Sequence, residues 1–169
     1  MKAIINEKYG SPDILELREV ERPEPKPNQV LVKVLAASVN RADYYLLKGE
    51  PFPVRLAAGF FKPKNQILGA DIAGVVERIG SKVDQLKVGD EVYGDLSSAG
   101  FGGFAEYVAV DENLLTKKPS NLSFEETAAL PMAAVTALQG LRDVGKLKAG
   151  QEVLINGASG GVGGFAVQI

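Results

Sequence analysis

Cysteine and histidine are both absent from this 169-residue chain. Without thiols there is no disulfide, and without thiolate or imidazole there is no Cys-bearing or His-bearing zinc site. An excess of charge of one sign is also missing: 19 Lys and Arg stand against 21 Asp and Glu, a formal net charge of -2. The basic residues are scattered, which gives no basic face for nucleic acid and no polybasic patch for anionic lipid, so neither is expected as a partner. Long apolar runs are lacking as well. No window approaches the 18 apolar residues of a membrane span, and residues 1–5 enter a strand-like pattern without a leader's apolar core, so a cytoplasmic location is expected. A content of 46% hydrophobic and 24% charged residues is that of a folded domain, which argues against disorder.

What is present is organised around residues 152–169. Glu152-Val153-Leu154-Ile155-Asn156 reads as an apolar strand, Gly157-Ala158-Ser159-Gly160-Gly161-Val162-Gly163 as a glycine-rich turn, and Gly164 to Ile169 as the start of a helix. Strand, phosphate loop and helix in that order are the opening of a dinucleotide-binding βαβ unit. Glycines let the backbone turn and approach a pyrophosphate, and the N–H groups of the helix's first turn point at its oxygens. The spacing G-x-x-G-x-x-G is looser than G-x-G-x-x-G, so the preceding strand carries much of the assignment. The residue that would read the adenosine ribose is expected about 20 positions further on, past Ile169. The cofactor site is therefore expected to be opened here and not finished.

Upstream, seven short strands are expected: residues 2–6, 14–20, 29–39, 68–80, 88–94, 104–110 and 114–116. Three prolines stiffen residues 21–28 into a connector that cannot continue a ladder. Residues 40–49 read as a short helix with Asn40 at its N-cap and Gly49 at its end. Residues 51–66 read as irregular, with Phe52, Phe60 and Phe61 marking either a substrate-side loop or a packing surface. At Ser123 the period changes. Ser123 and Glu126 form S-x-x-E, a capping box, and Pro131 opens a second helix that Gly145 stops. Short strands followed by helices give an α/β chain with a compact barrel-like β-domain and a hinge near residues 119–123.

The segments Ala37-Ser38-Val39-Asn40-x-x-Asp43, Leu68-Gly69-x-Asp71-x-Ala73-Gly74-Val75-Val76, Val88-Gly89-Asp90-Glu91-Val92, Gly103-Phe104-Ala105-Glu106-Tyr107, Ala128-Ala129-Leu130-Pro131-x-Ala133-x-x-Thr136-Ala137 and the loop from Gly157 to Gly163 resemble, in order, the zinc-independent quinone oxidoreductase branch of the medium-chain dehydrogenase/reductase superfamily. The resemblance implies a GroES-like catalytic β-domain over residues 1–122, incomplete without a carboxy-terminal return. Residues 123–169 would begin a Rossmann NADP-binding domain. The zinc-bearing branch places a cysteine near Asn40 and a histidine near Ala70; neither is here, so no zinc is expected.

The chemistry implied is hydride transfer from NADPH to a small quinone or enone, with NAD(H) left open. Such substrates delocalise the incoming negative charge, so a positioned nicotinamide and one proton source suffice without a Lewis acid. The resemblance places Asn40 and Tyr45 beside the nicotinamide as the catalytic pair, with Tyr45 also a proton donor. It places Thr136 against the amide or ribose, and Ser159, Gly160, Gly161, Val162 and Gly163 around the pyrophosphate. Other roles are open to them: N-cap for Asn40, packed aromatic for Tyr45, a helix hydroxyl bonded back to a carbonyl for Thr136. Asp43, Asp71 and Asp90 read as Asx-type bonds to backbone. Two other functions stay open: a non-catalytic fragment or assembly module of such an enzyme, and an alcohol dehydrogenase-like enzyme. A homo-oligomer or a complementing fragment is expected as the protein partner.

Overall fold

The computed structural model describes all residues, Met1–Ile169. Seven strands form, as the alternation predicts: β1 (Lys2–Ile5), β2 (Glu16–Glu19), β3 (Gln29–Ser38), β4 (Asp71–Ile79), β5 (Glu91–Asp95), β6 (Tyr107–Asp111) and β7 (Leu115–Lys117). β1 and β2 make an antiparallel hairpin with Lys2 opposite Glu19. The other five form an antiparallel sheet in the order β6-β3-β4-β5-β7, joined to the hairpin at an Ala3–Ala105 bridge. The proline connector crosses the surface, where Arg22 pairs with Glu77 and lies over the Tyr107 ring at 3.8 Å.

Side chains alternate along strands, so Val30 and Val32 of β3 point to one face and meet Ile72, Val76, Val92 and Val110 in a dry core. Each such side chain stabilises the fold by about 1.5–3 kcal/mol through burial. Leu31, on the opposite face, is buried as completely, and helix α3 (Phe124–Ala128) packs against β3 and β4. The β3–β4 register runs unevenly, with shifts at Leu31/Val32 and Val34/Ala36, and ends with Ser38 opposite Asp71. That last pair matters for the site.

Helix α1 (Arg41–Lys48) starts after Asn40 and ends at Gly49, whose φ of 62° is left-handed. A further helix, α2 (Val54–Ala58), lies in the stretch expected to be irregular. Five residues after Pro51-Phe52-Pro53 are too few to show a 3.6-residue period, so the pattern hid it. Helix α3 carries the expected capping box: Ser123 N–H donates to Glu126 Oε2 at 2.8 Å and Glu126 N–H to Ser123 Oγ at 3.1 Å. Helix α4 (Pro131–Leu138) passes into a wider π-type turn over Gln139–Val144 before Gly145, and α5 (Gly161–Gln168) packs against α4. The expected strand at Val153–Ile155 is the exception. None of the seven strands lies beside it, so it forms no ladder, and Leu154 is 96% exposed.

Candidate cofactor site

The site is built where β3 ends and α4 begins. Ser38 and Asn40 are two apart at the end of an extended segment and so face the same way. Asp71, 0% exposed, is the first residue of β4 and lies opposite Ser38. Its carboxylate accepts from Asn40 Nδ2 at 3.1 Å and Ser38 Oγ at 3.2 Å, and both oxygens accept from Met132 N–H at 3.1 Å. Met132 N–H is one of the unbonded amides of the first turn of α4, so the carboxylate also answers that helix's positive end. Asn40 Nδ2 donates as well to Ser38 Oγ at 3.2 Å.

Asp43, also buried, holds α1: it accepts from Asn40 N–H at 2.8 Å and from Gly69 N–H at 3.0 Å. Burial pushes both carboxyls above the ordinary aspartate range, against the pull of these donors, and the charge of Asp95 adds to the rise. Asp43 thus bonds backbone, as its sequence context suggests. So does Asp90, whose carboxylate accepts from Lys87 N–H at 3.1 Å and pairs with Lys117. Asp71 differs, because it joins two side chains and a helix. Sequence reasoning missed that role: the only available signal was the shared parity of Ser38 and Asn40, and the register supplying Asp71 is a property of the folded sheet.

Thr136 is exposed one turn further along α4. Its hydroxyl makes no bond back to a carbonyl, unlike that of Thr127, which donates to Ser123 O at 2.6 Å. The glycine loop adjoins the same helix: a Cβ on Gly161 would lie 3.8 Å from Ala133 Cβ. Gly157 has φ +75°, and a Cβ on Gly163 would stand 2.1 Å from Gly157 O, so this pair closes the turn. Gly160 is exposed in extended backbone, φ -82°, with 3.4 Å to the nearest atom a Cβ would meet. The first-turn amides of α5 follow it, with no side chain at Gly160, Gly161, Gly163 or Gly164, and a helix N-terminus of this kind favours an anion. Asn40 is thus linked through Asp71 to α4, which bears Thr136, and α4 packs against α5, the helix that the glycine loop opens.

Tyr45 lies apart from that run. It is half-exposed on α1, its ring 5.3 Å from the Arg41 guanidinium, and Arg41 Nε donates to its hydroxyl at 3.4 Å. It bonds neither Asn40 nor Asp71. Beyond α1, Phe52, Phe60 and Phe61 stack edge-to-face at 5.7 and 4.9 Å on the surface. No group of three or more Asp and Glu residues converges to hold a metal ion, and no helix is long and apolar enough to cross a membrane.

Comparison with known proteins agrees with this architecture. The alcohol dehydrogenase GroES-like domain matches residues 26–120. The chain belongs to that family. It is 42% identical, over its whole length, to 44% of the 2-methylene-furan-3-one reductase of Solanum lycopersicum. It is 38% identical to 49% of the quinone oxidoreductase of Homo sapiens, again over its whole length. The quinone oxidoreductase of Coxiella burnetii superimposes with a TM-score of 0.88 at 37% identity, over 99% of this chain and 52% of that one. The relationship is thus to the quinone oxidoreductase branch of the medium-chain dehydrogenases/reductases, and the fold is a GroES-like β-domain followed by the first part of a Rossmann unit. The chain spans about half the length of the curated relatives it matches.

Proposed function

We propose that this chain is the amino-terminal part of a cytoplasmic NADPH-dependent reductase of quinones or enones that works without a metal. Residues 1–122 form its catalytic β-domain and residues 123–169 open its nucleotide-binding domain. The observation that carries this reading is the single carboxylate, Asp71, tying Asn40 of the β-domain to the helix that bears Thr136 and adjoins the glycine loop. Bound NADPH supplies the hydride. The first-turn amides of α5 hold the pyrophosphate, Asn40 and Thr136 fix the nicotinamide end, and Tyr45 offers a hydroxyl to the substrate oxygen. A quinone or enone needs no more polarisation than that, and no histidine or cysteine is available to hold zinc.

In a full-length parent, NADPH oxidation should proceed with a simple benzoquinone, survive dialysis against a chelator and be far slower with a saturated ketone. Activity lost to the chelator and restored by zinc would return the alcohol dehydrogenase-like reading. A second reading, a non-catalytic fragment or assembly module, draws on the unpartnered Val153–Ile155 segment. It applies to the 169-residue chain by itself.

A further inference from the structure

Residues 48–67 hold four cations, Lys48, Arg55, Lys62 and Lys64, against one anion, Glu50, in a chain whose net charge is -2. The near-neutral total hides this, because acids elsewhere in the chain offset the segment. Two of the four cations are engaged within the fold: Lys48 pairs with Glu50 at 3.0 Å, and Arg55 donates from Nε to Gly49 O at 3.0 Å and lies 4.6 Å over the Tyr9 ring. Lys62 and Lys64 are exposed and make no salt bridge. Glu7, whose carboxylate feels the charge of Lys62, is already paired with Arg18 at 2.7 Å. Beside these two lysines lies apolar surface. Phe52, Leu56 and Phe60 follow one another at a spacing of four, the rings of Phe52, Phe60 and Phe61 meet edge to face, and Phe61 is 89% exposed.

The patch is braced from beneath. Tyr9 donates its hydroxyl to Gly59 O, Lys64 N–H donates to Ala58 O at 2.7 Å, and Pro63 is buried, so the turn that carries Phe60, Phe61 and Lys62 is held in one shape. A surface already ordered loses little conformational entropy on binding. We infer that Phe52, Leu56, Phe60 and Phe61, with Lys62 and Lys64 at their edge, form a docking surface for an anionic lipid bilayer, the rings entering the acyl boundary and the ammonium groups meeting the headgroups. Two other occupants fit the surface less well. A small molecule needs a pocket that encloses most of it, and this surface leaves Phe61 standing free. A second copy on a twofold axis would set the patch against itself, lysines against lysines, and like charges across an interface repel. The inference is independent of the reading of the cofactor site.

The test is flotation of a full-length parent on vesicles of phosphatidylcholine with and without an equal part of phosphatidylserine, which separates bound protein from aggregates that sink. The parent should float with phosphatidylserine, and much less without it or at high salt. Phe60→Ser/Phe61→Ser should weaken binding about tenfold or more through the loss of two apolar rings. Lys62→Gln/Lys64→Gln should weaken it roughly twentyfold or more, about fivefold for each lysine. Both pairs are exposed, so the urea midpoint should stay that of the wild type.

Tryptophan is absent from the 169-residue chain, so Phe61→Trp places a single reporter in the patch. Its emission should shift to the blue on phosphatidylserine vesicles and be quenched by brominated acyl chains. A parent that does not float, flotation that survives either pair of substitutions, or equal binding with and without phosphatidylserine overturns the inference. Light scattering in which the phenylalanine pair dissociates a dimer of the parent, with flotation unchanged, assigns the patch to a second copy and overturns it as well.

Discussion

Gly157, Gly160 and Gly163 each answer a different constraint, although in the sequence they are three equivalent letters. Gly157 supplies a positive φ, Gly163 lets the helix start against the Gly157 carbonyl, and Gly160 leaves the α5 amides uncovered. Gly163→Ala should therefore destabilise the turn by about 1–3 kcal/mol, the usual cost of forcing atoms into a filled space. In a full-length parent, Gly160→Val should leave the β-domain folded and weaken NADPH about tenfold or more, roughly 1.4 kcal/mol, by screening the donors. Urea unfolding and NADPH fluorescence distinguish the two, and equal NADPH affinity in Gly160→Val would make the loop a structural turn. Asp43 and Asp71 make a second pair of alike letters with an energetic signature. Burial raises both carboxyls above the unfolded range of about 3.9, so ionising them costs more in the folded chain than in the unfolded one. Their contribution is fully present below that value and is lost as pH rises through the raised folded values. Asp71→Asn and Asp43→Asn should accordingly gain stability relative to wild type as the urea midpoint is followed upward from pH 3.5. A difference that stays constant with pH would show that the buried carboxyls titrate as they do unfolded.

Elements were legible where a local rule writes them. The alternation of Val30, Val32 and Val34 placed β3, the change of period at Ser123 placed α3, and Pro131 and Gly145 bracket a helix and its π-type extension. Helix α2 was not legible, because five residues between prolines and Gly59 carry no period. The start of β4 was also blurred. Leu68, Gly69 and Ala70 look like strand, but Gly69 has φ +97° and its N–H goes to Asp43, so the ladder begins only at Asp71. That offset is what sets Asp71 opposite Ser38, and no single-strand pattern reveals it. The capping box of α3 is a local device with a local test. Ser123→Ala removes the bond from Glu126 N–H and should cost about 1 kcal/mol. For a domain of this size the loss corresponds to about 2–4 °C in Tm. Because α3 seals the outer face of β3 and β4, a loss well above that range would mean that the helix detaches from the sheet rather than fraying at its end.

At the scale of the whole molecule, the sheet and the start of the nucleotide unit differ in how far their edges are satisfied. β3 pairs with β4 out to Ser38 but with β6 only from Gln29 to Lys33, so one edge of Leu35–Ser38 stays open, with Leu35 and Val39 exposed beside it. The Val153–Ile155 segment has no neighbour on either side, although its consecutive apolar residues are those of a parallel strand buried on both faces. Open edges of this kind template pairing with other chains, and contiguous exposed apolar surface favours association. The isolated 169-residue chain should therefore self-associate, or be held by a complementing segment, with the open β3 edge and Val153–Ile155 protected from hydrogen exchange in the associated form. It should not turn over a quinone with NADPH, because no strand flanks the segment that leads into the glycine loop. Light scattering for mass beside stopped-flow oxidation of NADPH with a simple benzoquinone measures both properties on one sample. Robust turnover by a strictly monomeric species would show that the Asp71 contacts and the α5 amides suffice for hydride transfer without a completed nucleotide domain.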